Sequence, residues 1–414
     1  MTLNSQKMSP SGIVLDLDIK GNAHGALKDK TFVVKDLFDV QGCITGGGCP
    51  DWAKKQAQAT ATAPTISKLL DAGAQLKGKS CSDELAFSLD GINPFFGTPL
   101  NSQLPDRIPG GSSSGSAAAV AARVVDFALG TDTAGSIRVP ASYCGIYGMR
   151  PTHGVISTSG VMPLGPSFDT VGWFAGNAEV LNVVGSVLLE TAVTDDELND
   201  AGRNNDEELH NIGIVKTAFN LLSTDIAESM ISQTEHAASL FNQKSEVDIS
   251  PHIFELCASV FGIIRSREAW QFYGKWIEED HPNLSPMVHQ RLTEGKKVSL
   301  KEENLARSIK QELTTYLEQL IAKHGVLCIP TTWDLPPKTS APTETLAANR
   351  TKNILLTSLS TLSGLPQVSV PVEIVPGVRL GLSFIGSRGS DLQLLKLAGK
   401  LERAGVSCKL VSSH

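Results

Sequence analysis

The chain has 414 residues, 41% of them hydrophobic and 19% charged, with a formal net charge of −7. That balance excludes a disordered or collagen-like protein, and the length admits one large α/β domain or two ordinary ones. Charges of both signs are interspersed with no Lys/Arg block able to track a phosphate backbone, so nucleic acid is not expected as a partner. Met1 to Lys20 carries polar residues where a secretory leader needs an apolar run, and no apolar stretch reaches the ~18 residues of a membrane span. The expectation is a cytoplasmic protein with no membrane partner. Seven cysteines stand at scattered spacings with no C-x-x-C pair, which reads as reduced, buried thiols with no metal site. His281 and His289 read as surface residues.

In chain order, Thr31-Phe-Val-Val34 is a β-prone run ending at Lys35, followed by a turn-rich segment from Gln41 to Pro50. Ala63 to Ala72 has helical spacing, Gln75 to Gly78 forms the next strand, and Asn93 to Pro109 is loop. Ser116 to Val124, nearly all alanine and valine, suits a buried helix, and Val124 to Leu129 a short strand after it. Thr194 to Glu208 turns acidic and polar, marking a surface excursion before Ile212 to Val215 restarts the core. Residues 218–324 are mostly helical, with Leu305, Ile309, Leu313, Leu317 and Leu320 on one stripe. Strands return at Val326 to Ile329, Gln367 to Val372 and Leu380 to Ile385, and Asp391 to Ala404 closes the chain as a helix. The alternation predicts an α/β fold, a large mixed sheet with helices on both faces, as one domain over 1–414 with a helical insertion at about 218–324.

Two glycine-rich turns carry the candidate chemistry. Gly110-Gly-Ser-Ser-Ser-Gly115 holds Ser112, and Gly130-Thr-Asp-Thr-Ala-Gly-Ser-Ile-Arg138 holds Ser136. The second turn offers the amides of Thr133, Ala134, Gly135 and Ser136 as oxyanion donors. Read structurally, Ser136 would be an N-cap and the first turn a linker. A phosphate cradle is excluded because no Gly-Lys-Ser/Thr follows the glycines. Gly111-Ser-Ser-Ser-Gly115 also matches G-x-S-x-G, which would make Ser113 a nucleophile, but that motif needs a preceding strand that Asn101 to Pro109 does not supply. Lys35 is either a solvated lysine or, with Val33, Val34, Leu37 and Phe38 around it, a base whose pKa burial lowers.

Val33-Val-Lys-Asp36 and both turns, with Gly78-Lys-Ser80, Asp83-Glu84, Ser167-Phe-Asp-Thr-Val-Gly172 and Gly364-Leu-Pro-Gln-Val-Ser-Val-Pro371 in the same order, resemble the amidase signature family over nearly the whole chain. The resemblance implies the amidase-signature fold, Ser136 as nucleophile, Ser112 as bridging serine after a cis peptide bond, and Lys35 as ultimate base. Two positions depart from the family's usual glycines, Ala134 and Ser114. Within the family the motifs are most similar to plant amidases that hydrolyse indole-3-acetamide. The implied activity is hydrolysis of a small primary amide without metal or organic cofactor, with the amide substrate as partner and a homodimer admitted. The alternatives are an ammonia-generating amidotransferase A-type subunit and a non-catalytic amidase-like scaffold.

Overall fold

Alternating apolar and acidic residues at Ile13-Val-Leu-Asp-Leu-Asp-Ile19 give a strand with one buried and one wet face, and this strand, β1, opens the fold. The computed structural model describes residues 8–190 and 209–410, so the acidic stretch Thr194 to Glu208 lies outside the described residues. The strands that follow are β2 (Thr31–Lys35), β3 (Gln75–Ser80), β4 (Phe127–Asp132), β5 (Tyr147–Arg150) and β6 (Thr170–Ala175). After them come β7 (Asn211–Val215), β8 (Gln243–Val247), β9 (Val326–Pro330), β10 (Gln367–Val375) and β11 (Val378–Ile385). They form one 11-stranded sheet in the order β1-β3-β2-β4-β6-β5-β10-β11-β9-β7-β8. It is a mixed sheet: β2 runs parallel to β3 and β4, β7 parallel to β8 and β9, and the strands between pair antiparallel. Helices cover it, giving the α/β architecture expected.

The centre of the sheet is buried on both faces, which is why β2 and β4 read as continuous apolar runs and not as alternating ones. Phe32 and Val34 of β2 join one hydrophobic cluster with Leu129 and Val171, whereas Val33 joins another with Ala117, Ala119 and Ala128. Side chains two apart share a face, so Lys35 leaves the strand on the Val33 side, the side covered by the helix Ser114–Ala121. That helix is buried along its whole length, and its small side chains let it lie close on the sheet. Ser116 Oγ donates to Leu129 O at 2.8 Å and pairs with Ser80 Oγ at 2.8 Å, pinning the helix to β4 and β3. Gly130 completes the fit, because a Cβ there would sit 2.6 Å from Ser113 Oγ.

The segment expected to be mostly helical contains the helices Thr224–Ala238, Pro251–Asp280, Pro286–Lys297 and Leu300–His324. It also contributes β8, which pairs with β7 at the edge of the same sheet. The expected strand over Val124 to Leu129 begins later and runs further, to Asp132, because the ladder with β6 continues to Asp132 opposite Thr170. Pro251–Asp280 packs against Thr343–Ser363, and the latter reaches the turn that carries Ser136.

Candidate active site

β2 and β4 are neighbours, so their C-terminal ends deliver Lys35 and the Thr131 to Ser136 segment to one spot, while Gly110 to Ser113 arrives from the start of the buried helix. Lys35 is fully buried. Its Nζ lies 2.7 Å from Ser112 Oγ and 2.9 Å from Thr131 Oγ1. The lysine has no carboxylate in salt-bridge contact among the described residues. Burial pushes its pKa from the ordinary 10.5 down to about 7, against the pull of Asp83, Asp132 and Asp169. A neutral amine keeps two N–H groups and a lone pair, so it can donate to Thr131 while accepting from Ser112.

The peptide bond Gly111–Ser112 is cis. Gly111 lies against the Asp83 carboxylate, where a Cβ would stand 2.4 Å from Oδ2. The Asp83 amide donates to Ser112 O at 3.1 Å, tying the two loops together. Burial raises the Asp83 carboxyl well above the ordinary carboxylate range, although the Gly91 amide donates to it at 3.0 Å.

Ser136 is 2% exposed, and its carbonyl accepts the Ser113 amide at 3.4 Å, which places the two serine turns side by side. Ser136 Oγ makes no hydrogen bond among the described residues, and Ser112 Oγ reaches Lys35 but not Ser136. Of the four amides expected to face an oxyanion, that of Gly135 donates to Asp132 Oδ1 at 2.8 Å. The amides of Thr133, Ala134 and Ser136 have no partner among the described residues. Ser113 lies in no strand-to-helix elbow. Its hydroxyl is buried, donates to Thr131 O at 3.1 Å and accepts from the Thr131 amide at 3.3 Å, so it ties the helix to β4.

Asp132 and Arg138 were legible as letters of the second motif but carried no assigned role, and they shape the turn. Asp132 accepts the amides of Gly135, Ile137 and Arg138, bending the chain around its carboxylate. Arg138 grips that carboxylate at 2.8 and 2.9 Å and reaches Thr357 O, Ser360, Thr361 and Gln367. Arg150 adds a second guanidinium at 3.1 Å. Burial alone would raise the Asp132 carboxyl, but the two arginines and the amides hold it well below the usual range. Thr357 Oγ1 donates to Ala134 O at 2.6 Å, closing the turn from the far side. A cavity of about 60 Å³ abuts Thr131, Thr133 and Asp169. A larger surface cleft lined by Gln103, Arg123, Cys144 and Arg379 contains none of these residues.

No histidine touches Ser112, Ser113 or Ser136 among the described residues; His153, the nearest in the chain, contacts Pro166 O. His281 and His289 are exposed. All seven cysteines are free thiols, six of them buried. Among the described residues no cluster of His, Cys, Asp and Glu could hold a metal, and no helix is long and apolar enough to cross a membrane.

A family model described as Amidase matches residues 15–395. The chain is 38% identical over 397 residues to Amidase 1 of Arabidopsis thaliana, spanning 91% of this chain and 93% of that one. It is 35% identical over 384 residues to Translocon at the outer membrane of chloroplasts 64 of Pisum sativum, spanning 89% of this chain and 65% of that protein. A solved structure described as the crystal structure of amidase superposes with a TM-score of 0.80 at 26% identity, over 92% of this chain and 85% of the other. With the match running from β1 into the last helix, the chain belongs to the amidase family and is an amidohydrolase.

Proposed function

We propose that this protein hydrolyses a small primary amide through a seryl acyl-enzyme, with Ser136 as nucleophile, Ser112 as proton relay and Lys35 as base. The observation that carries the reading is the fully buried Lys35 Nζ, 2.7 Å from Ser112 Oγ and lowered toward neutrality. Neutral Lys35 accepts the Ser112 proton as Ser112 accepts that of Ser136, and Ser136 Oγ bonds to the amide carbon. The oxyanion that forms takes hydrogen bonds from the unpartnered amides of Thr133, Ala134 and Ser136; Gly135 acts indirectly, by letting Asp132 hold the turn. The C–N bond then breaks, the proton returns from Lys35 through Ser112 to the leaving nitrogen, and ammonia departs. Water, deprotonated by the same relay, cleaves the ester to the carboxylic acid and restores Ser136. None of these steps calls on a cofactor.

Likeness to the plant amidases supports indole-3-acetamide as the first acyl group to test, and seven free thiols support a reducing compartment such as the cytoplasm. The test is ammonia release by purified protein and by Ser136→Ala across aliphatic, aryl and indolyl amides and glutamine. Turnover of simple amides that is lost in the variant is expected. Equal release by both proteins overturns the assignment, and turnover of glutamine alone favours the amidotransferase reading.

A further inference from the structure

Three arginines from three separate helices meet beside the candidate active site, in a chain whose net charge is negative. Arg265 comes from the helix Pro251–Asp280, Arg291 from Pro286–Lys297 and Arg350 from Thr343–Ser363. The Arg265 guanidinium lies 5.1 Å from the centre of the Phe87 ring and 5.8 Å from that of Phe261. Arg291 donates to Phe87 O. Each of the three depresses, or is depressed by, another of the set, and burial with this mutual repulsion pushes Arg350 down to about 9 and Arg265 to about 10, so all stay cationic at neutral pH.

What is missing is a countercharge in contact. None of the three forms an ion pair among the described residues, Arg265 and Arg350 make no hydrogen bond there, and Arg350 Nε is buried without a partner. The carboxylates that act on them, Glu294, Asp90 and Asp83, do so without an ion-pair contact among the described residues. Asp90 Oδ2 is taken by Ser88, and its Oδ1 is itself unpartnered. Guanidiniums drawn together out of water repel one another, and a folded chain tolerates this where something anionic joins them. All three residues are half-buried.

The cluster also stands at a definite place relative to the nucleophile. Gly165 lies between the stem of Arg265 and the oxyanion turn: a Cβ on it would lie 3.2 Å from Arg265 Cγ and 3.5 Å from the Thr133 methyl. Arg350 and Thr357, whose hydroxyl binds Ala134 O, are two turns apart on one helix, about 10 Å along its axis. Phe87, which both Arg265 and Arg291 touch, follows closely on Asp83, whose amide binds Ser112.

We infer that Arg265, Arg291 and Arg350 form the acyl-end subsite of this amidase and select primary amides whose acyl chain ends in a carboxylate. The inference rests on Ser136 as the reacting centre and deepens that reading. The planar carboxylate matches the guanidinium fork. A neutral indolyl amide would leave the charge unused.

Three amides of equal length test it: adipamate, hexanamide and 6-aminohexanamide. The expected order of kcat/KM is adipamate over hexanamide by at least about tenfold, with the cationic amide last. Arg350→Gln and Arg265→Gln, on different helices, should each collapse the adipamate-to-hexanamide ratio toward unity, and raised salt should do the same in the unaltered enzyme. Calorimetry of adipamate and hexanamide on Ser136→Ala asks the same question without turnover. Adipamate binding no tighter than hexanamide, or a ratio indifferent to both arginine variants, overturns the subsite. If the unaltered enzyme turns over none of the three but hydrolyses other amides, the subsite fails and Ser136 stands; if it hydrolyses no amide at all, the reading of Ser136 is what fails, and the binding measurement still decides the subsite.

Discussion

Replacing Lys35 by methionine separates the base from the shape it fills. Its amine is fully buried against two hydroxyls, with a pKa near 7 against 10.5 in the unfolded chain. With that value the neutral fraction climbs from about a tenth at pH 6 to about nine tenths at pH 8, so kcat/KM of the unaltered enzyme should rise about tenfold and then level. Between pH 7 and 10.5 the unfolded chain holds a proton that the folded one lacks, so the stability contributed by this site rises with pH across that window. The cost of burying the charge is fully present below pH 7, and at about 1.4 kcal/mol per pH unit it is on the order of 5 kcal/mol. Lys35→Met removes that cost and also the contacts to Ser112 and Thr131, which do not titrate in this range. The stability of Lys35→Met minus that of the unaltered protein should therefore shrink by several kcal/mol between pH 6 and pH 10, as read from urea unfolding at each pH. A difference independent of pH, or a kcat/KM flat from pH 6 to 8, refutes a buried lysine base.

Ser136→Ala should abolish ammonia release while leaving the stability within about 1 kcal/mol of the unaltered protein, because its hydroxyl makes no hydrogen bond among the described residues. Ser112→Ala and Lys35→Ala should each cost orders of magnitude in kcat, and the double variant little more than either, since relay members act as a unit; full multiplication of the two effects would sink the relay. Asp132→Asn leaves two buried guanidiniums short of their counterion and should cost about 3–5 kcal/mol in denaturant unfolding, together with most of the activity; an unchanged midpoint would mean that Arg138 is held by its other partners alone. Thr131→Asp gives Lys35 a carboxylate and should move the midpoint of the kcat/KM profile upward by at least about one pH unit; an unmoved midpoint would place the titration elsewhere.

How much of this was legible depended on whether the signal was local. Lys35, Ser112 and Ser136 stood in short motifs, β2, β7, β9, β10 and β11 were readable as apolar runs bounded by turns, and β3 and most of β4 were read as strands from their place between helices and turns. The alternating β1 escaped because its two aspartates gave the N-terminus a polar cast, though they only mark its wet face. β5 escaped because four residues between Gly145 and Pro151 carry no period, and its burial comes from the pairing with β6 and β10. The role of Thr131 depends on β2 and β4 being neighbours, and that of Asp83 on a loop folding against Gly111, neither of which spacing encodes. The engagement of the Gly135 amide by Asp132 was equally hidden, since an amide's partner is decided by the turn's dihedral angles. The arginine cluster is the extreme case: each member sits in a different helix, and only the packing of three helices brings them together.

Lys35 and Asp132 end adjacent strands and are equally buried, yet the protein holds one near neutrality and the other charged. Burial opposes charge at both, so the difference lies in what each touches. Asp132 receives two guanidiniums and three amides, all of which lower the energy of the anion. Lys35 receives two hydroxyls, which serve a neutral amine as well as an ammonium. The buried arginines are divided: Arg138 and Arg150 face Asp132 and keep the turn rigid, while Arg265, Arg291 and Arg350 form no ion pair among the described residues. A turn fixed by charge, a lysine whose charge is made costly, and a cationic cluster without ion pairs among the described residues are three different uses of the same low-dielectric interior, and the first is the condition for the proposed role of the second, because an Asp132 without its arginines would pull more strongly on the Lys35 proton.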